Sequence, residues 1–116
     1  MSLLRIIFMG TPELAGVSLR ALLRVPEFQI VAVVTQPDQP KGRGLKLQPS
    51  PVKEIAAREN LPVLQPERAR DESFIQQLRA LQPDLIAVAA YGQILPQSIL
   101  DLPDRKSTRL NSSHRH

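Results

Sequence analysis

Apolar residues in this chain fall into short runs separated by stretches with helical periodicity. Leu3 to Met9 is apolar apart from Arg5 and stops at Gly10, the pattern of a strand buried on both faces of a parallel sheet. Thr11 is placed to cap the next element, Pro12 to occupy a first helical position where its missing N–H is not needed, and Glu13 to favour the positive helix end. The pattern predicts a helix from Pro12 to about Arg24 with Leu14, Val17, Ala21 and Leu22 on its inner face. Phe28 to Thr35 is rich in β-branched residues and nearly all apolar, which predicts a second strand and completes a β-α-β unit.

Gln36 to Pro51 then breaks all periodicity, with Pro37, Pro40, Gly42, Gly44, Pro49 and Pro51 in one stretch. A long connection without regular structure is expected, and such connections lean functional. Val52 to Asn60 reads as a helix with Val52, Ile55 and Ala56 inward, and Leu61 to Leu64 as a short strand. Asp71 is placed to cap a third helix carrying Phe74, Leu78 and Leu81 at helical spacing, stopped by Gln82-Pro83-Asp84. Leu85 to Ala89 is a fourth buried strand. The fold class is α/β: the first half of a Rossmann-like doubly wound parallel sheet, incomplete at this length because both sheet faces need helices. Ligands of such sheets sit beyond the carboxyl ends of the strands, here at Gly10-Thr11, the Gln36 loop and Tyr91-Gly92.

Composition adds exclusions. With 42% apolar and 22% charged residues the chain belongs with globular proteins and not with disordered ones. Without cysteine there is no disulfide framework, thiolate nucleophile or cysteine metal site, and no metal is expected. No signal-peptide pattern opens the chain and no apolar stretch approaches the ~20 residues of a membrane span, so a cytoplasmic protein with no membrane partner is expected. The net charge of +4 is uneven: residues 1–103 carry +1, residues 104–116 carry +3, and both histidines, His114 and His116, lie in the latter. The basic pI therefore says little about nucleic-acid affinity of the folded part. Residues 1–103 also offer no Glu-His or Ser-His-Asp constellation.

Three places could carry chemistry, each with two readings. Gly10-Thr11-Pro12 is either a ligand-facing turn or a tight turn with no ligand, since one glycine is not a G-x-G-x-x-G fingerprint. Lys41, Arg43 and Lys46, set among glycines and prolines, suit an arm that orders on phosphates, although composition alone favours a solvated surface loop. Tyr91, Gly92, Ile94 and Leu95 leave the fourth strand at the functional edge, where apolar groups beside free backbone could hold a flat heteroaromatic ligand or could simply fill core. A dinucleotide-binding module would want a richer glycine turn and an acidic residue closing the second strand, where this chain has Thr35-Gln36.

Three segments narrow the choice: R-I-I-F-M-G-T-P-E-L-A at Arg5 to Ala15, V-V-T-Q-P-D-Q-P-K-G-R-G-L-K-L-Q-P-S-P-V-K at Val33 to Lys53, and A-A-Y-G-Q-I-L-P at Ala89 to Pro96. Together they resemble the N-terminal region of bacterial methionyl-tRNA formyltransferases, in register over residues 4–103. Other formyltransferases of the superfamily share the sheet and first turn but not the Q-P-D-x-P-x-G-R-G loop. The resemblance implies transfer of the formyl group of 10-formyltetrahydrofolate to the α-amine of methionine on initiator tRNA, by an enzyme that is monomeric at full length. It implies that the long loop meets the tRNA acceptor end, with Arg43 as the discriminating residue and Lys41 and Lys46 as phosphate contacts, and that Tyr91, Gly92, Ile94 and Leu95 line the folate pocket. A formylfolate hydrolase would share the folate loop but has no use for the basic one.

The family's catalytic Asn-x-His motif and later Asp are expected beyond Leu102-Pro103 and find no counterpart here; Asn111 and His114 stand in a different spacing and are assigned no role. Asp104 to His114 instead resembles the in-frame translation of a common sequencing-library adapter. Residues 1–103 are therefore expected to form the N-terminal half of the catalytic domain, and residues 104–116 a non-native, disordered tail. From that half-built sheet follow two further expectations: no turnover by this chain alone, and an unpaired edge on the fourth strand with bare sheet faces that favour aggregation.

Overall fold

The computed structural model describes residues 3–11, 13–41, 46–89, 91, 95–102 and 108–109. Its main sheet contains β1 (Leu4–Gly10), β2 (Phe28–Val34), β5 (Val63–Leu64), β6 (Leu85–Ala89) and β7 (Thr108–Arg109), ordered β5-β2-β1-β6-β7. All four pairings are parallel. The order reverses between β1 and β6, the switch point at which doubly wound sheets open a crevice. Helices α1 (Glu13–Leu23), α2 (Pro51–Arg58) and α3 (Glu72–Ala80) link the strands, and α4 (Gln97–Leu100) follows β6.

Both faces of the sheet are covered. Ala15, Leu19, Val52, Ile55 and Ala56 of α1 and α2 pack on Ile6, Phe8, Ile30, Val33, Ala87 and Ala89. On the other face Phe74, Ile75, Leu78 and Ile99 pack on Ile7, Met9, Val34, Ile86 and Val88. Alternation along β2 slips by one at Val31, because Ile6 pairs with Ile30 but Ile7 pairs with Ala32.

Arg5, the one charge within the first apolar run, has a structural task. Its backbone exchanges bonds with Asp84, Arg5 N–H donating to the carboxylate at 2.9 Å and Asp84 N–H donating to the Arg5 carbonyl at 2.7 Å. Its guanidinium donates to the Leu81 carbonyl, at 2.9 Å from Nε and 2.6 Å from Nη2. A cation thus closes the negative end of α3, where Gln82 turns the chain through a left-handed φ of 50°.

Several expectations need correction. On α1 the fully buried positions are Ala15, Gly16 and Leu19; Leu22 packs partly buried on the same cluster as expected, whereas Val17 is 59% exposed and Ala21 is exposed, and the Leu14 side chain lies outside the described residues. Small residues face inward because the helix lies so close that a Cβ at Gly16 would stand 2.8 Å from Ile55 Cδ1; side-chain size mattered more than hydrophobicity. The Gln36–Pro51 connection is not structureless: β3 (Gln39–Lys41) and β4 (Lys46–Gln48) form an antiparallel two-stranded ribbon. Asp71 occupies the N-cap of α3 but makes no side-chain capping bond.

The sheet faces are not bare, since Ile6 to Met9 and Ile86 to Ala89 are at most 6% exposed. Nor is β6 unpaired: Ala87 and Val88 pair with Thr108 and Arg109, within the segment set apart on sequence grounds. The outer strands β5 and β7 are two residues each, and edges this short offer little template for a second chain. The faces are thus covered, whereas the outer edge of β6 is paired only at Ala87 and Val88 among the described residues.

Candidate functional site

The carboxyl ends of β1, β2 and β6 converge at the switch point, and one hydroxyl joins them. Thr11 Oγ1 donates to the Tyr91 carbonyl at 2.8 Å and accepts from Gln36 N–H at 3.3 Å. Thr11 does this where the sequence suggested a helix cap; Pro12, the residue after it, lies outside the described residues.

From this point the ribbon β3-β4 leaves the sheet, held at both feet. At the inner foot the hydroxyls of Thr35 and Ser50 are 2.7 Å apart, and the two residues are 0% and 7% exposed. Ser50 also caps α2, accepting Lys53 N–H at 3.0 Å, with Pro51 in the first turn. At the outer foot the Asp38 carboxylate accepts from Lys53 Nζ at 3.1 Å and from Gln65 Nε2 at 2.8 Å, and Gln65 Nε2 also reaches the Gln36 carbonyl at 3.2 Å. The residue before β3 is thereby tied to α2 and to the residue after β5.

Those bonds hold the Asp38 carboxyl below the usual carboxylate range, Gln65 contributing most and Lys53 next, against a smaller opposing effect of desolvation. A depressed carboxylate stabilises the fold above its unfolded pKa and loses that contribution as pH falls through the folded value. The outer foot is thus expected to stay closed at neutral pH and open only in acid. An NMR titration of the Asp38 carboxyl should place its midpoint below that of a free aspartate, and Asp38→Asn should abolish the acid-dependent exposure of the Gln65 side-chain amide; an unshifted midpoint would contradict this account.

The structure brings some of the sequence-proposed residues together and buries others. The ribbon register sets Lys41 opposite Lys46, while Arg43 lies outside the described residues. Gly10 and Thr11 stand at the switch point. Tyr91 is 2% exposed and its ring belongs to the core beside α3 and α4, so at this position it is the main-chain carbonyl that faces the crevice side. Leu95 is half-buried and packs against the same cluster; Gly92 and Ile94 lie outside the described residues. Sequence reasoning missed Asp38, Ser50, Lys53 and Gln65. The Ser50-Pro51 pair carried a local capping signal, whereas nothing local links Asp38 to partners 15 and 27 residues away.

Among the described residues the buried Tyr91 hydroxyl has no hydrogen-bond partner, and burial pushes its pKa up to about 12. A raised phenol pKa gives stability that is complete below the unfolded value and lost as pH rises through the folded one. Ultraviolet titration of the chain's only tyrosine should therefore find its midpoint near 12, with unfolding favoured as the pH climbs towards it. Tyr91→Phe removes the unpaired hydroxyl and is expected to raise stability by about 1 kcal/mol; a clear loss on denaturation would reveal a partner for the hydroxyl.

The larger cleft among the described residues, about 360 Å³, lies between α1 and α2 and is lined by Arg20, Leu23, Arg24, Ile55, Arg58 and Glu59. It faces the last turns of both helices, at the opposite edge of the sheet from Thr11. Among the described residues no three of His, Cys, Asp and Glu are grouped to hold a metal ion, and no helix is long and apolar enough to cross a membrane.

Residues 4–113 match the family model described as formyl transferase. Relatives called methionyl-tRNA formyltransferase include one from Desulfotalea psychrophila, 63% identical over 85% of this chain and 30% of its own length. Another, from Trichlorobacter lovleyi, is 56% identical over 94% of this chain and 34% of its own length. The chain thus spans about a third of the length of these relatives. Among solved structures, glycinamide ribonucleotide transformylase 1 from Geobacillus kaustophilus superposes with a TM-score of 0.61 at 20% identity, over 92% of this chain and 57% of its own. At that identity the likeness concerns the fold.

Proposed function

The chain belongs to the formyl transferase family, and from that premise we propose that it is part of an enzyme that formylates methionyl initiator tRNA with 10-formyltetrahydrofolate. The observation that carries the choice of acceptor is the ribbon: a basic, two-stranded arm pinned at both feet beside the switch-point crevice. Lys41 and Lys46 are register partners in it, and with Arg43 they concentrate three positive charges in six residues of sequence, which suits a polyanion. Arg43, in the connection between the two strands, is the residue we assign to discrimination of the initiator, because a planar guanidinium reads phosphate and base edges as a lysine does not.

The folate would lie in the crevice, next to Gly10-Thr11 and the loop from Tyr91 through Gly92, Ile94 and Leu95. The Tyr91 ring then supports that loop from the core while its backbone borders the ligand. In the reaction the methionine amine attacks the formyl carbon, the bond from that carbon to N10 of the folate breaks, and one amine proton is lost as N10 gains one. This chain's residues bind and orient the two substrates. The proton-handling His and Asp and the oxyanion-stabilising Asn belong to the sequence that follows residue 103 in the family. In this reading the whole enzyme is a cytoplasmic monomer that needs no metal, with residues 1–103 as the domain portion. The genomic reading frame after the Pro103 codon tests that division.

The whole protein is expected to transfer formyl to methionyl initiator tRNA, and the 116-residue chain alone to give no turnover, since residues 1–103 contain no histidine. Release of formate to water with no formylated tRNA would favour a formylfolate hydrolase instead.

A further inference from the structure

We propose that the Thr11 hydroxyl couples the two substrate sites, so that folate bound beside the Tyr91 loop and tRNA bound on the ribbon each raise affinity for the other through it. This inference rests on the assignment of those two loops to folate and tRNA. Three observations carry it. Thr11 leaves β1 at the switch point, between the strand that feeds the ribbon and the strand that feeds the folate loop. Its hydroxyl is bonded to both, accepting a hydrogen bond from Gln36 N–H and donating one to the Tyr91 carbonyl. The direction of that chain is forced, because an amide can only donate and a carbonyl can only accept.

Bonds in series polarise one another, so the hydroxyl accepts more strongly from Gln36 when its own proton is well held by Tyr91. A ligand that holds the Tyr91 carbonyl in place therefore tightens the hold on Gln36. Gln36 is also the residue whose carbonyl Gln65 grips, at 3.2 Å, while bound to Asp38 at the base of β3. The route from folate loop to ribbon is thus Tyr91, Thr11, Gln36, Gln65 and Asp38, each step a hydrogen bond or a shared residue. Ordering one end lowers the entropy still to be lost at the other. Thr11 acts here as a positioning residue.

The test uses the whole protein, with 5-formyltetrahydrofolate as a folate that does not transfer its group and methionyl initiator tRNA as the second probe. Each dissociation constant is measured with and without the other ligand, and linkage requires the same factor in both directions. For the parent we expect a factor of about five or more, at the lower bound of ordinary coupling. Thr11→Ser keeps the hydroxyl and should keep the factor; Thr11→Val keeps the shape, loses the hydroxyl and should bring the factor close to one. Hydrogen exchange at the Gln36 amide should be faster in Thr11→Val than in Thr11→Ser, a readout that does not depend on either ligand. Retention of the parent factor by Thr11→Val, equal loss in both variants, or a parent factor of one would each overturn the proposal. A parent that binds neither probe would overturn the functional reading itself, and this inference with it.

Discussion

Neutralising Lys41, Arg43 and Lys46 together in the whole protein is expected to weaken initiator tRNA binding by more than about a hundredfold while leaving folate affinity nearly unchanged. The magnitude follows from losing three charge-assisted contacts at roughly 1.5–3 kcal/mol apiece, where 1.4 kcal/mol is a factor of ten. The size of the loss is less diagnostic than its dependence on salt. Each phosphate contact releases counterions, so the slope of log affinity against log salt should fall by about one per residue removed. Arg43→Ala alone should change tRNA use more than folate use, and should also narrow the preference for the initiator. The ribbon itself should not suffer, because Lys41 and Lys46 are opposed in its register and like charges there repel. An unchanged salt slope in the triple variant would remove the ribbon from the RNA interface.

Gly10→Ala is expected to cost about 3 kcal/mol or more, the upper end for overpacking, out of a total stability of roughly 5–15 kcal/mol for a domain. A Cβ at this position would stand 2.7 Å from Ala15 Cβ, 2.8 Å from the Ala89 carbonyl oxygen and 2.9 Å from Phe8 Cε2. These atoms belong to a helix, a strand backbone and a buried ring, so no single flexible group can yield. Adding Ala15→Gly should recover only part of the loss, since the Ala89 oxygen remains and glycine itself weakens a helix by about 0.5–1 kcal/mol. Denaturant titration would read both values from midpoints at constant slope. A Gly10→Ala variant as stable as its parent would mean that α1 can move off the sheet freely. Because Thr11 follows directly, displacement at Gly10 should also lengthen the bond to Tyr91.

The strands were legible because burial on both faces leaves a run of apolar, β-branched residues that needs no partner to be recognised: β1, β2 and β6 lie where Leu3 to Met9, Phe28 to Thr35 and Leu85 to Ala89 placed them. Helices α2 and α3 followed from the spacing of Val52, Ile55 and Ala56 and of Phe74 and Leu78, all of them buried. The inner face of α1 followed only in part: Leu22 packs inward, but Ala15 and Gly16 are set by how near the helix comes, which periodicity does not encode. The ribbon was missed for a similar reason. Two strands of three residues, one containing Pro40, are too short to show alternation, and their pairing depends on feet anchored elsewhere.

The sequence by itself determined the class of fold, where the loops leave the carboxyl ends of the strands, and through three short segments the family to which the chain belongs. These are properties of residue order: periodicity, turn chemistry and local motifs are complete within a window of a few residues. Only the tertiary structure decided that the Thr11 hydroxyl joins two loops, with Tyr91 lying 80 residues away. It alone turned Asp38 from one loop residue among many into the clasp of a ribbon, and placed the Tyr91 ring in the core with its carbonyl toward the crevice. Such roles depend on distances between residues remote in the chain, set by the strand order and the closeness of helix to sheet.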